Sequence, residues 1–272
     1  MSTFGVAPAD SRVGGVPVWL VVPAFVGVAF LVLPLTSLVG RVDWSTIWAD
    51  VAAPATLQAL WLSIWTALVS TAICAVLGIP LAIVIARSRP WLAGLLRAIT
   101  TIPLILPPMV GGVALLYLLG RNGWLGQGLG TVGIQLPFTT AAVVLAQVFV
   151  AFPFLVLAVE GAVRGLDPAL PEASADLGGT PWQTLLRVTI PLAGPGLAAG
   201  LTLCFARAVG EFGATALFAG NSPGTTRTMP LAIYTAFNGA GVSQGTAIAL
   251  ALVLLVVAVA VLVIARSWRP TA

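Results

Sequence analysis

The chain has 272 residues, 59% of them hydrophobic and only 7% charged, against about 25% charged in soluble proteins, so it is an integral membrane protein. Its formal charge of +4 comes from twelve arginines set against eight acids, with no lysine and no histidine. Those absences exclude a Walker A loop, His-based zinc sites, Ser-His-Asp triads and imidazole proton relays, and without a basic tract interleaved with aromatics nucleic acid is excluded as a partner.

Residues 1–16 carry Asp10, Arg12 and several glycines and read as a short disordered tail. Pro17–Val39 is apolar for more than 20 residues, enough for one membrane span and too long for the apolar core of a cleaved signal peptide. Arg41–Pro54 mixes Arg41, Asp43 and Asp50 with Trp44 and Trp48, an interfacial loop. A second span runs from Thr56 to Ala86 and stops at Arg87-Ser88-Arg89-Pro90, with Arg97 close behind. The third, Ile99–Leu119, contains Pro103, Pro107 and Pro108, which remove helix hydrogen bonds and predict a bend, either beside a wet pathway or as a packing kink. Arg121–Pro137 is a glycine-rich loop with a short interfacial helix around Leu125.

Span four, Thr139–Val163, includes Pro153 and ends in Glu160 and Arg164, an acid-first i,i+4 pair that reads as a membrane-boundary ion pair. Span five runs from Leu192 to Leu217 and span six from Thr246 to Ile264, followed by an interfacial tail, Arg266-Ser267-Trp268-Arg269. Cys74 and Cys204 lie in separate apolar runs and read as small buried hydrophobes. Six spans put both termini on one side, with Arg12, Arg87, Arg89, Arg97, Arg164, Arg187, Arg266 and Arg269; the other side holds Arg41, Arg121 and Arg227. By the positive-inside rule the termini and the 165–191 loop are cytoplasmic.

That loop contains the one long polar interruption between apolar spans, PEASADLGGTPWQTLLRVTIP, from Pro171 to Pro191. Glu172 and Asp176 fall in a short helix ended by Gly178-Gly179, and Thr180-Pro181 caps and starts a second that runs to Pro191. Two short helices meeting at a glycine turn make a compact knob, with Leu177, Trp182, Leu185 and Leu186 as an apolar side for a partner's groove.

Glu172-Ala173-Ser174, Gly178 and Val188-x-Ile190-Pro191 resemble the pattern EAA, three residues, Gly, nine residues, I-x-L-P of the permease subunits of bacterial binding-protein-dependent ABC importers. Ser174, Val188 and Ile190 are conservative departures. Ala206 to Thr215 (ARAVGEFGAT), Phe218-Ala219-Gly220-Asn221 and Thr228 to Tyr234 are similar to molybdate-importer permeases, and the likeness runs from the second span onward.

The resemblance implies an all-α integral membrane protein of about six transmembrane helices, the type I ABC importer permease fold. Its permease domain would cover 17–266, with the coupling loop at 165–191 and cytoplasmic tails at 1–16 and 267–272. In such permeases the loop docks into a nucleotide-binding subunit, a role that carries over to Glu172, Ala173, Ser174, Asp176, Leu177, Gly178, Trp182 and Pro191. The implied complex, in the bacterial inner membrane, has two permease copies, two ATPase subunits that bind ATP and magnesium, and a periplasmic oxyanion-binding protein. The chain itself needs no cofactor and catalyses nothing.

Arg207 and Glu211 are the charges within span five, one turn apart. Each costs about 2.5–3.5 kcal/mol at a helix centre, against about −0.3 to −0.6 for an apolar side chain, so both face the bundle interior. They either neutralise one another or meet the passing anion. With Gly210, Gly213, Thr215 and Asn221 they are the pathway candidates, the glycines serving close packing or a narrow pore. The expected cargo is molybdate, with tungstate and sulfate or thiosulfate as alternatives. An ion-coupled secondary transporter and a membrane-embedded hydrolase are the competing classes, opposed by the scarcity of intramembrane acids and the lack of a base constellation.

Overall fold

The protein is described by a computed structural model covering residues 17–239 and 244–267. The tail at 1–16 and all but the first residue of the tail at 267–272 lie outside the described residues. Every regular element described is helical.

The first of two units, Met1–Val42, contributes α1 (Val18–Gly40), whose apolar stretch Trp19–Gly40 spans 22 residues with no polar face. That length crosses a hydrocarbon core of about 30 Å.

The second unit, Asp43–Ala272, holds the remaining helices. The interfacial stretch after Arg41 contains a six-residue helix, α2 (Ile47–Ala52). The second span is α3 (Pro54–Arg87), 34 residues, or about 51 Å at 1.5 Å per residue, so it overhangs the hydrocarbon core by about 20 Å. The third is not one kinked helix. Pro107 and Pro108 break it outright into α4 (Pro90–Ile105) and α5 (Pro108–Leu119), which meet at 109°. Pro103 is accommodated inside α4, whereas Pro108 takes the first position of α5, where its missing N–H costs nothing. The glycine-rich connection carries α6 (Gly126–Thr131), and span four is α7 (Thr140–Arg164), with Pro153 in its interior.

Two short helices follow, α8 (Ala169–Asp176) and α9 (Pro181–Thr184). The second does not stop at Pro191. A wide π-turn, Leu185–Thr189, absorbs an extra residue and leads into α10 (Ile190–Leu192), which then bends by 70° into α11 (Gly194–Val209). Span five is also interrupted: Gly210–Phe212 separate α11 from α12 (Gly213–Phe218). A nine-residue helix that hydropathy did not single out, α13 (Met229–Phe237), precedes α14 (Gln244–Ser267).

α7 is the central post, packed by α3, α11, α4, α5 and α12. Small residues line these seams: Ala67, Ala82, Ala151 and Ala208 are buried, and a Cβ on Gly196 would sit 2.2 Å from Ala162 Cβ. Close backbone approach of this kind supplies the dispersion contacts that hold membrane helices together where lipid is as apolar as the side chains. Cys74 and Cys204 are buried free thiols in this same seam.

Candidate functional site

The knob after α7 is built from local rules. Asp167 Oδ1 accepts from the Ala169 N–H (3.0 Å) at the start of α8, an anion at a helix N-terminus. α8 ends because Gly178 takes φ +80°, while the Gly178 and Gly179 N–H groups return to Ala175 and Ser174 carbonyls at 2.9 Å each. Thr180 and Gln183 close a capping box on α9, Gln183 N–H donating to Thr180 Oγ1 (3.3 Å) and Thr180 N–H to Gln183 Oε1 (2.9 Å). The Ser174 and Thr184 hydroxyls meet at 2.8 Å, so the two short helices form one body.

The outer side of that body is apolar and uncovered. Leu177 is 89% exposed and Trp182 66% exposed, with Leu170 and Leu186 also exposed. Glu172, Ala173 and Asp176 are on this surface, and Pro191 is exposed beyond the π-turn. Ser174 is the exception, half-buried as the internal tie.

One arginine ties the knob to the bundle, and two more join the helices from which it emerges. Arg87 Nη2 donates to Thr189 Oγ1 in the π-turn (2.8 Å). Glu160, buried at the end of α7, pairs with Arg164 (2.9 Å) and also with Arg97 of α4, whose Nε lies 3.1 and 3.2 Å from its two carboxylate oxygens. Arg164 also donates to the Ile85 carbonyl of α3 (3.3 Å). The i,i+4 pair at Glu160 and Arg164 therefore forms as its spacing predicts, but inside a triad that binds α3, α4 and α7.

The second group lies where the broken spans meet. Arg207 Nη2 is 2.7 Å from Glu211 Oε2, and Glu211, 1% exposed, accepts from the Ala214 N–H (2.8 Å), capping α12. The two charges neutralise one another. At the same level α5 presses on α12: a Cβ on Gly112 would lie 2.7 Å from the Ala214 carbonyl oxygen, and one on Gly213 would lie 3.2 Å from Met109 N. Gly213 is thus a packing residue, while Gly210 is exposed at the break. The Phe212 ring meets Tyr234 of α13, centroids 5.0 Å apart.

Thr215 is fully buried, with no hydrogen-bond partner for its hydroxyl among the described residues. Asn221 belongs to a different cluster, bonded to Arg227 on the α12–α13 connection and to Thr235 of α13. Sequence reading missed Arg97, Thr184, Thr189, Gly112, Arg227 and Thr235, because their partners lie 6 to 102 residues away and no spacing rule links such pairs.

An all-helical bundle with broken apolar spans is the architecture of a membrane transport subunit. The chain belongs to the family "binding-protein-dependent transport system inner membrane component", which it matches over residues 78–270, so it is a multi-pass transport permease. Among its relatives is the molybdenum transport system permease protein ModB of Mycobacterium tuberculosis, 49% identical over 218 residues, 80% of this chain and 83% of that protein. The Haloferax volcanii probable molybdenum ABC transporter permease is 37% identical over 213 residues, 78% and 76% of the two chains. In fold it is similar to a bacterial alginate ABC transporter (TM-score 0.68, 18% identity, 91% of each chain) and the MetNI methionine ABC transporter (TM-score 0.63, 21% identity, 78% of this chain and 93% of that one).

Proposed function

We propose that this permease imports a tetrahedral oxyanion, molybdate first, as a homodimer with two ATPase subunits on its knobs and a periplasmic binding protein on its outer face. The observation that carries the reading is the 49% identity to a molybdenum permease across four-fifths of the chain. The match to the transport family takes in both the knob and the broken span five. Tungstate and sulfate are the competing cargoes.

Both termini and the knob face the cytoplasm in this reading, which rests on the arginine distribution. ATP and magnesium belong to the ATPases, and this chain turns their closure into a change of shape. Leu177 and Trp182 enter an apolar groove on the ATPase, and Glu172 and Asp176 meet polar groups at its rim. The knob moves as one body because Ser174 and Thr184 tie its helices. Arg87 and the Glu160 triad pass the movement to α3 and α4. α4 carries it through the 109° turn to α5, which bears on α12 through Gly112 and Ala214, beside Arg207, Gly210 and Glu211. Two discrete packings of that contact are the inward- and outward-open states.

The test is uptake of labelled molybdate by the reconstituted complex, in competition with tungstate and sulfate. Uptake that sulfate blocks as well as molybdate would remove the cargo assignment. In the same vesicles Glu172→Ala combined with Gly178→Val, whose β-branched side chain opposes φ +80°, is expected to abolish uptake while the ATPase still hydrolyses ATP. Unchanged transport would refute the coupling role.

A further inference from the structure

The cation that a passing oxyanion meets must have charge and donors to offer, and Arg207 has little of either, because Glu211 neutralises it. Glu160 likewise engages Arg97 and Arg164. Arg227, on the connection between α12 and α13, differs: no carboxylate pairs with it among the described residues, and its partners are all neutral. Its Nε donates to Asn221 Oδ1 (2.9 Å) and its Nη2 to the Asn221 carbonyl (3.3 Å). Of five guanidinium N–H groups, two are used, and three are left to a ligand.

The guanidinium is also held in place. Asn221 is itself oriented, its Nδ2 donating to Thr235 Oγ1 (2.8 Å), which donates to the Leu231 carbonyl (2.7 Å). The loop beneath is stitched: the Ser222 carbonyl accepts from the N–H groups of Thr225, Thr226 and Arg227, at 3.2, 2.9 and 2.9 Å. Thr140 Oγ1 donates to the Thr225 carbonyl (2.9 Å) and the Met229 N–H to Ser63 Oγ (2.7 Å), pinning the loop to α7 and α3. A fixed planar fork is how arginine recognises oxyanions, since little entropy remains to be lost when the ligand arrives.

Its position suits the task. The Phe212–Tyr234 contact joins α13 to the break in span five, so the Arg227 cluster and the Arg207–Glu211 break flank one helix. Exposed on α13 and its end are Tyr234, at 54%, Phe237, at 52%, and the polar Asn238. Exposed polar groups on an otherwise apolar membrane protein belong against water rather than acyl chains.

We propose that Arg227, oriented by Asn221 and Thr235, is the recognition station for a tetrahedral dianion on this permease, before the anion passes the neutralised Arg207–Glu211 pair. The assignment rests on the oxyanion-import reading above. Its test is the number of ATP molecules hydrolysed per molybdate imported by the complex in liposomes with loaded binding protein. Complexes that fail to assemble are removed by gel filtration before the assay, so a lower yield leaves that ratio unmoved; a missing recognition group in the assembled complex wastes cycles and raises it. Arg227→Gln is expected to raise the ratio at least about fivefold, the loss of one or more charge-assisted hydrogen bonds. Arg121→Gln, at an arginine that donates to Gln135 on another connection, is expected to leave it unchanged. A rise below about fivefold in Arg227→Gln, or an equal rise in Arg121→Gln, overturns the proposal. If the Arg227→Gln complex does not assemble, Arg227→Lys decides, because it keeps the charge and loses the fork: a ratio raised less than about twofold overturns the proposal. Failure of the parent complex to import any tetrahedral oxyanion would sink the transport reading instead, a separate outcome.

Discussion

Replacing Arg207 and Glu211 singly and together separates mutual neutralisation from direct anion contact. Breaking a buried pair by removing one member costs about 3–5 kcal/mol, because the other charge is left without compensation. Here the two members are unequally buried, the Arg207 side chain 23% exposed and the Glu211 side chain 1%. Glu211→Gln strands a guanidinium that still reaches water, so its cost falls near about 3 kcal/mol, and glutamine can keep the cap on Ala214. Arg207→Gln strands a fully enclosed carboxylate and should cost about 5 kcal/mol. The double change Arg207→Gln/Glu211→Gln leaves no charge, and its cost should drop to about 1–2 kcal/mol, well below the sum of the singles. At about 2–4 °C per kcal/mol for a chain near this size, the single losses correspond to about 6–12 °C and 10–20 °C. The assay is the thermal midpoint of the purified protein in detergent, followed by gel filtration after heating. Additive losses, or a larger loss for Glu211→Gln than for Arg207→Gln, would refute the reasoning. An unchanged midpoint with uptake lost in Arg207→Gln alone would instead mean that Arg207 serves the cargo.

Other contacts make sharper, smaller demands. Gly112→Ala places a methyl 2.7 Å from the Ala214 carbonyl oxygen, a backbone atom that cannot rotate away; the overpacking should cost about 1–3 kcal/mol. It should also slow uptake more than it lowers the thermal midpoint, since it wedges the contact between the two broken spans, and uptake kinetics at 20 °C would check this. Glu160→Gln strands two arginines at the knob's base, both about two-fifths exposed, so the expected stability loss is about 1–2 kcal/mol, below that of a fully enclosed pair. A crosslinking assay between the knob and the ATPase should still report docking while uptake falls, because the knob's own ties at Ser174 and Thr180 are intact.

What the amino-acid order discloses follows the range of the forces involved. Long apolar runs announce α3 and α7, since a bilayer demands continuous hydrophobicity from any lone helix. The knob is legible because caps, glycine turns and i,i+4 pairs are rules about near neighbours: Thr180, Gly178 and the Glu160–Arg164 pair behave as their spacing says. The break at Pro107 was half-visible, as a proline cluster that specifies a bend and not its 109° extent. The break at Gly210–Phe212 was hidden, since a glutamate turning back to cap the next helix looks the same in sequence as one inside a continuous helix. Arg97 and Arg87 find partners 63 and 102 residues away, pairings fixed by how whole helices pack.

The length of α3 has one more consequence. The same helix, unbroken although Pro80 lies inside it, touches the knob through Arg87 at one end and the start of α13 through Ser63, about 36 Å away, near the other. A rod longer than the slab it pierces behaves like an oar in its rowlock. If its lower tip is drawn sideways by a tilt of about 5°, the two grips shift relative to one another by about 3 Å, shared between the ends about a pivot in the slab. A pull on the blade is thereby felt at the handle, beside Arg227, without any side chain in between having to change its partner.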